Sequence, residues 1–229
     1  MNRAQALERL DRLVASRSIL DHPFYQAWQR GDLTRAQLAT YARIYYPHVA
    51  AFPGHLEEAL SRATDPTTRA DLSANLADER GEPAAHPELW LDFAEGVGLE
   101  RDGVAAAEPA PAAQRLIDAL RSSARGSTAG ALAALYAYES QQPEVSATKQ
   151  NGLACHYGIA DSRSIAYFAV HATLDLDHRQ GERDALGRCL DEGADADEIL
   201  RAAAETLDAY WGLLDGVCHE AGIPMAACA

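Results

Sequence analysis

The chain has 229 residues and a formal net charge of −14, with 48% hydrophobic residues and 24% charged. This is one domain's length with enough apolar material for a real core, which excludes a disordered tail or a linker. Acids outnumber bases by 34 to 20, so the basic footprint that a nucleic acid or an anionic membrane surface requires is missing.

The opening MNRAQALERLDRLV has no apolar signal-peptide region, and no later stretch approaches about 18 uninterrupted apolar residues. Neither a signal peptide nor a membrane span is expected. Cys155, Cys189, Cys218 and Cys228 are scattered, without a C-x-x-C pair. They read as reduced thiols, which predicts a cytoplasmic protein, with Cys155 as a buried structural thiol.

Helical signals dominate along the chain, because alanine and leucine are abundant and period-two alternation is nearly absent. Ala6, Leu7, Leu10, Leu13 and Val14 mark a first amphipathic helix, and His22-Pro23 starts a short second one ending near Gly31. Thr34 and Gln37 form a capping box for a helix toward Tyr46, which Pro47 and Pro53 are expected to break or kink. Asp65-Pro66 opens the next helix, to about Glu79, and His86-Pro87 starts another that ends near Gly96. Residues 101–112 read as the longest connection. Helices then follow over 112–124, 127–142, 145–157, 160–190 and 195–221 by their caps and breakers. The prediction is a single all-α bundle over residues 1–229, with no internal repeat and no linker. DEGADADE (191–198) lacks the glycine and ligand spacing of a calcium loop, and reads as a turn with Asp195 at a helix N-terminus. No phosphate loop, G-x-S-x-G or H-E-x-x-H motif is present.

The sharpest local signal is HATLDLDH. On a helix His171, Asp175 and His178 lie at about 0°, 40° and −20°, so three metal-ligand types share one face while Asp177 points to solvent. Glu139 ends the apolar run GALAALYAY, where a carboxylate needs a partner such as a cation. Glu79 and His86, seven residues apart, are read as sharing a face, with Glu82 as the rival carboxylate. Three carboxylates and three imidazoles suit two divalent ions. Mixed nitrogen and oxygen donors on facing helices favour iron or manganese, whereas structural zinc would favour cysteine.

With HPFYQAW, YARIYYPHVAAFPGHLEEAL, the E-x6-H pair, the helix-end Tyr-Glu and H-x3-D-x2-H, the sequence resembles the haem-oxygenase-like dimetal oxidases over roughly residues 20 to 220. Within them it looks most like the group of the chlamydial protein associating with death domains and its bacterial relatives, which make para-aminobenzoate for folate. The resemblance implies a bundle of about seven helices, commonly dimeric, with a buried Fe/Fe or Fe/Mn pair that uses O2 and a reductant. It implies that Glu79, His86, Glu139, His171, Asp175 and His178 are the ligands. Tyr25 would be the consumed source of the aromatic ring, Lys149 the amino donor, and Tyr41, Tyr138 and Tyr167 aromatic groups around the metals. Tyr167 lies one turn before His171, so its ring would flank the cluster.

Lys149 also stands out without any resemblance, as the only lysine among 20 basic residues. Arginine stays charged, whereas a buried lysine can lose its proton and become a nucleophile. His22, His48 and His55 read as helix-start or core-polar residues, and His219 as surface. The reading that follows is an oxygenase consuming its own side chains, without nucleic-acid or membrane partners and as a homodimer. Two alternatives share the bundle: a dimetal oxidase of an external small molecule, and a metal-free enzyme of the TenA or PqqC type.

Overall fold

The computed structural model describes residues 1–81 and 84–225. The rival carboxylate Glu82 and the thiol of Cys228 lie outside the described residues. The chain opens with α1 (Arg3–Ser16), set by an Asn2/Gln5 capping box, and a 3-10 turn at Ile19–Asp21 leads into α2 (Pro23–Arg30). His22 caps α2, its Nδ1 accepting from the Phe24 amide, and Gly31 ends the helix at φ 74°. A left-handed cap of this kind favours glycine.

The Thr34/Gln37 capping box starts α3 (Arg35–Arg62), which runs as one helix through Pro47 and Pro53. The break expected at those prolines does not occur. Each forfeits one backbone hydrogen bond, but Tyr41, Tyr45, His48, Val49, Phe52 and Leu56 are buried on both sides of them. Packing along the whole length holds the helix across the gaps.

Asp65 caps α4 (Pro66–Arg80), and α5 (His86–Gly96) follows. A short α6 (Arg101–Ala105) occupies part of the segment read as a connection, before α7 (Pro111–Ala124). The remaining elements are α8 (Thr128–Glu139), α9 (Gln142–His156), α10 (Ser162–Asp191) and α11 (Ala196–Ala221). The described residues thus form eleven α-helices rather than about seven. Breakers already visible in the sequence account for most of the excess, and α2 and α6 are single short pieces of eight and five residues.

The organising element is α8. Every residue from Ala129 to Glu139 is buried, as a helix that is apolar all round must be. Its small residues (Ala129, Gly130, Ala131, Ala133, Ala134 and Ala137) let α7, α10 and α11 pack around it. The long helix α10 in turn packs against α4, α5, α8 and α9. Acidic side chains at the end of α8 and along α10 are therefore carried into the interior. Among the described residues no helix is long and apolar enough to cross a membrane.

One close approach sets the wall nearest the site. A Cβ on Gly152 of α9 would stand 2.4 Å from Nε1 of Trp28 on α2, so a side chain there displaces the indole. Gly152→Ala is expected to destabilise by about 1–3 kcal/mol, lowering Tm by about 2–4 °C per kcal/mol. Gly54→Ala in α3, where an added Cβ meets nothing within 4 Å, should be neutral or stabilising by up to about 1 kcal/mol. Thermal unfolding of the two variants side by side checks the contrast.

Candidate metal centre and its tyrosine–lysine chamber

Six donor residues assemble from four helices into two groups of three. In each group one nitrogen or oxygen from every residue lies within 4.8 Å of the others. The first group is Glu79, His86 and His171. Glu79 sits in the last turn of α4, and His86 is the first residue of α5. They converge from two separate helices, so the shared face read from their seven-residue spacing is not what brings them together. His86 Nδ1 lies 3.0 Å from Glu79 Oε1 yet forms no hydrogen bond with it. His171 Nδ1 donates to the Tyr167 carbonyl at 2.7 Å, and its Nε2 stands 3.8 Å from Glu79. Burial opposes ionisation of Glu79, but the His171 and His86 imidazoles outweigh it and hold the carboxyl down to about 2.

The second group is Glu139, at the C-terminus of α8, with Asp175 and His178 of α10. His178 Nδ1 lies 3.1 Å from Asp175 Oδ1 and 3.6 Å from Glu139, while its Nε2 donates to Asp78 at 3.0 Å. Asn75 Nδ2 donates to both oxygens of Glu139, at 3.0 and 3.1 Å. Burial disfavours the protonated imidazole of His178, but Asp175 and Glu139 more than compensate and raise it to about 11. Burial pushes the carboxyl of Asp175 up, and its Oδ2 has no partner. Glu79, Glu139, His171 and Asp175 also bound one small cavity with Val49, Phe52, Tyr138 and Tyr167, of about 10 Å³. That is room for about one water molecule.

Beside these groups lies a chamber of aromatic rings around Lys149. The amine is 5.2–5.7 Å from the ring centroids of Tyr25, Tyr41, Tyr45, Trp90 and Phe168. Lys149 is 1% exposed and Tyr25 0%. No carboxylate lies within ion-pair distance of Lys149 among the described residues, and burial alone drives its pKa well below the usual 10.5. The Tyr25 and Tyr41 hydroxyls are buried without a partner. Two lines of contact join chamber and donors. Trp90 packs edge-on to Tyr167 at 4.8 Å, and Tyr167 stacks on His171 at 4.1 Å. Gln142 donates to the Tyr210 hydroxyl at 3.1 Å, which accepts from Tyr45 at 3.0 Å, and the Tyr45 and Tyr138 hydroxyls are 2.9 Å apart.

Residues 39–211 match the family described as iron-containing redox enzymes, of haem-oxygenase type. The chain is 36% identical to a 4-aminobenzoate synthase of Chlamydia muridarum, with 94% of each chain covered. It is 35% identical to a 4-aminobenzoate synthase of Nitrosomonas europaea, over 93% of this chain and 90% of that one. The chain belongs to this family. Its fold is also that of a TenA homologue from Pseudomonas syringae, with a TM-score of 0.76 at 19% identity over 93% of this chain and 92% of that one.

The donor chemistry fits the metal of such a redox enzyme. Two buried groups of mixed imidazole and carboxylate, each with its donor atoms within 4.8 Å of one another, have the ligand types and the spacing that could hold a metal ion. The far ring nitrogens of His171 and His178 are held by a carbonyl and a carboxylate, the outer contacts that orient metal-bound histidines.

Several residues of this haem-oxygenase-like centre escape a reading of the sequence. Glu182 continues the α10 stripe one turn past His178 and is buried without a partner. Burial, and then the neighbouring Glu139, push its carboxyl well above the usual range. Its spacing was legible, since it lies four residues after His178. Asn75, Asp78, Tyr45, Tyr210 and Gln142 carry no local signal, because other helices bring them in. His48 and His55 are buried in the core as expected and burial lowers them, to about 3 and about 4, with like charges adding to the effect. His22 caps α2, and His219 is exposed. Cys155 is exposed rather than buried, its thiol donating to Asn151, because it lies on the outer face of α9.

The position of Lys149 has a consequence for stability. The unfolded chain binds a proton at this side chain up to its ordinary pKa near 10.5, and the folded chain releases it at lower pH. Between the two values the unfolded state holds more protons, so stability rises with pH. Lys149→Met should be more stable than the parent at pH 7, by about 2–4 °C in Tm per kcal/mol. It should also lose part of the rise toward pH 10, as thermal melts across pH 6–10 will show.

Proposed function

We propose that this protein makes 4-aminobenzoate, as its relatives from Chlamydia muridarum and Nitrosomonas europaea are named for doing, and that it does so from its own Tyr25 and Lys149. What supports this most is the burial of both groups in one chamber: the Lys149 amine stands 5.5 Å from the centre of the Tyr25 ring. Neither group is presented to solvent, and the cavity at the donor groups is only about 10 Å³. An aromatic substrate from outside does not fit that space, whereas the Tyr25 ring belongs to the chain and lies against Lys149 in the neighbouring chamber.

Each side chain has a part in this scheme. Glu79, His86 and His171 would hold one divalent ion and Glu139, Asp175 and His178 a second, as Fe/Fe or Fe/Mn. Bound there, the pair would supply oxidising power from O2 and an external reductant. Tyr25 gives up its ring together with Cβ as the Cα–Cβ bond breaks and O2 oxidises Cβ to the carboxyl carbon. The phenol oxygen leaves as water, and the Lys149 nitrogen takes its place as the Cε–Nζ bond is cleaved oxidatively. Lys149, kept neutral by its apolar surroundings, offers a lone pair instead of an ammonium. Tyr41 and Tyr45 wall the chamber. Tyr138 and Tyr167 stand between it and the donor groups, so electrons leaving the chamber cross one ring at a time. Trp28, Trp90 and Phe168 exclude water, which protects a reactive ring from side reactions. We place the protein in the cytoplasm as a homodimer acting through one domain, with O2 as its only small-molecule partner besides the reductant.

Such a protein yields at most one product per chain. After anaerobic loading with iron or with iron and manganese, then reductant and O2, peptide mass spectrometry should show mass changes at Tyr25 and Lys149 matched by one released 4-aminobenzoate. Tyr25→Phe and Lys149→Arg should each lose product formation by about 100-fold or more, in the range that removal of an essential reacting group costs. Repeated turnover with intact Tyr25 and Lys149 peptides would overturn self-consumption and favour an external substrate, for which Tyr25→Phe keeps most activity. Product without any bound metal would favour the metal-free alternative.

A further inference from the structure

Outside the six donor residues, the most anomalous group in the protein is Glu182. It is 4% exposed, and no other side chain donates to its carboxyl, which stands against the carboxyl of Glu139. A buried carboxylate left unpaired is costly, and evolution has apolar residues of the same volume with which to fill such a site. Glu182 lies about 20° from Asp175 around the α10 axis, so it belongs to the same inward stripe as His171, Asp175 and His178. Its carboxyl stands beside that of Glu139, next to the second donor group rather than within it.

The local count of donors and acceptors is unbalanced. Asp175 Oδ2 and both oxygens of Glu182 lack partners, and the hydrogen bonds available there, from Asn75 and His178, go to Glu139 and to Asp175 Oδ1. With Glu182 the second group has three carboxylates to one imidazole, whereas the first has one carboxylate to two imidazoles. Glu182 and His178 also line the inner wall of a groove of about 250 Å³ between α4 and α10, with Asp78 and the exposed Asp177 along it. The first group has no comparable acidic approach among the residues lining that groove.

We infer that Glu182 is a fourth protein donor for the cation held by Glu139, Asp175 and His178, and that the acidic groove beside it is the route by which that cation enters. This rests on the two-cation reading above. A divalent ion at the second group would give the Glu182 carboxyl, which no other side chain donates to, a partner of opposite charge, and hard oxygen donors suit such an ion. Anionic residues along a groove raise the local concentration of cations at its inner end.

Zinc tests this without oxidation chemistry, since it is redox-inert. Equilibrium dialysis of the metal-free chain against Zn(II) should give two tight ions. Glu182→Gln, which keeps the shape and can still hydrogen-bond to Glu139, should bind one ion as before and the second at least about tenfold more weakly. Glu182→Leu should behave likewise, and thermal melts establish that both variants are folded. A crystal structure of the zinc-loaded parent should place a Glu182 oxygen about 2.0–2.2 Å from the ion at Glu139, Asp175 and His178. Two equally tight ions in Glu182→Gln, or Glu182 oxygens beyond bonding distance in the loaded parent, would overturn the inference and leave the two-cation reading intact. Fewer than two ions on the parent chain would overturn both.

Discussion

Burying ionisable groups in an apolar helical core is the constraint on which the rest of this structure depends. Glu79, Glu139, Asp175 and Glu182 are all nearly inaccessible to solvent, with His86, His171 and His178 packed among them. Carboxylates moved out of water cost several kcal/mol each unless cations or donors meet them. Imidazoles offset part of that cost here: they draw Glu79 to about 2 and are themselves drawn upward, as at His178. The arrangement remains incomplete at Asp175 and Glu182, where Oδ2 of the first and the carboxyl of the second receive no hydrogen bond from another side chain. A metal ion bound at these groups would compete with protons for the imidazole lone pairs, so its binding would release protons.

Lys149 presents the opposite case within a few side chains of that cluster. No acid answers its charge, and five aromatic rings surround the amine. Ring faces attract an ammonium weakly compared with the desolvation it suffers, so the neutral amine is favoured. The protein thus keeps its anions on one side of Tyr138 and Tyr167 and its one amine on the other. Had Glu139 or Glu79 reached Lys149, an ion pair would have favoured the protonated amine.

The central helix makes this separation possible. Because α8 is rich in alanine and glycine, with only Leu132 and Leu135 as large side chains before Tyr136, Tyr138 and Glu139 in its last turn, neighbouring helices approach closely along most of it and the polar side chains come at its end. Chamber and donor groups both open at that point, on either side of one helix terminus. Continuity of α3 through Pro47 links the two regions: before it Tyr41 and Tyr45 stand against Trp90 and Lys149, and after it His48 and Phe52 pack on Tyr138.

Much of this was written in the chain's linear order. Helix starts at Asn2, Thr34, Asp65, Ser127, Asp161 and Asp195 follow from side chains that cap the adjacent amides, a local interaction that any reading of sequence can find. The stripe His171, Asp175, His178 is equally local, fixed by helical periodicity alone. The single lysine announced itself by composition. What needed the folded chain was every relation between helices: the approach of α5 that sets His86 beside Glu79, the reach of Asn75 to Glu139 and of Asp78 to His178, and the Tyr210–Tyr45–Tyr138 hydroxyl line drawn from three separate elements. Hydrogen bonds within a helix run between near neighbours and leave their mark in spacing. Contacts between helices depend on crossing angles and on the volume of every intervening side chain, and no short stretch of residues encodes those.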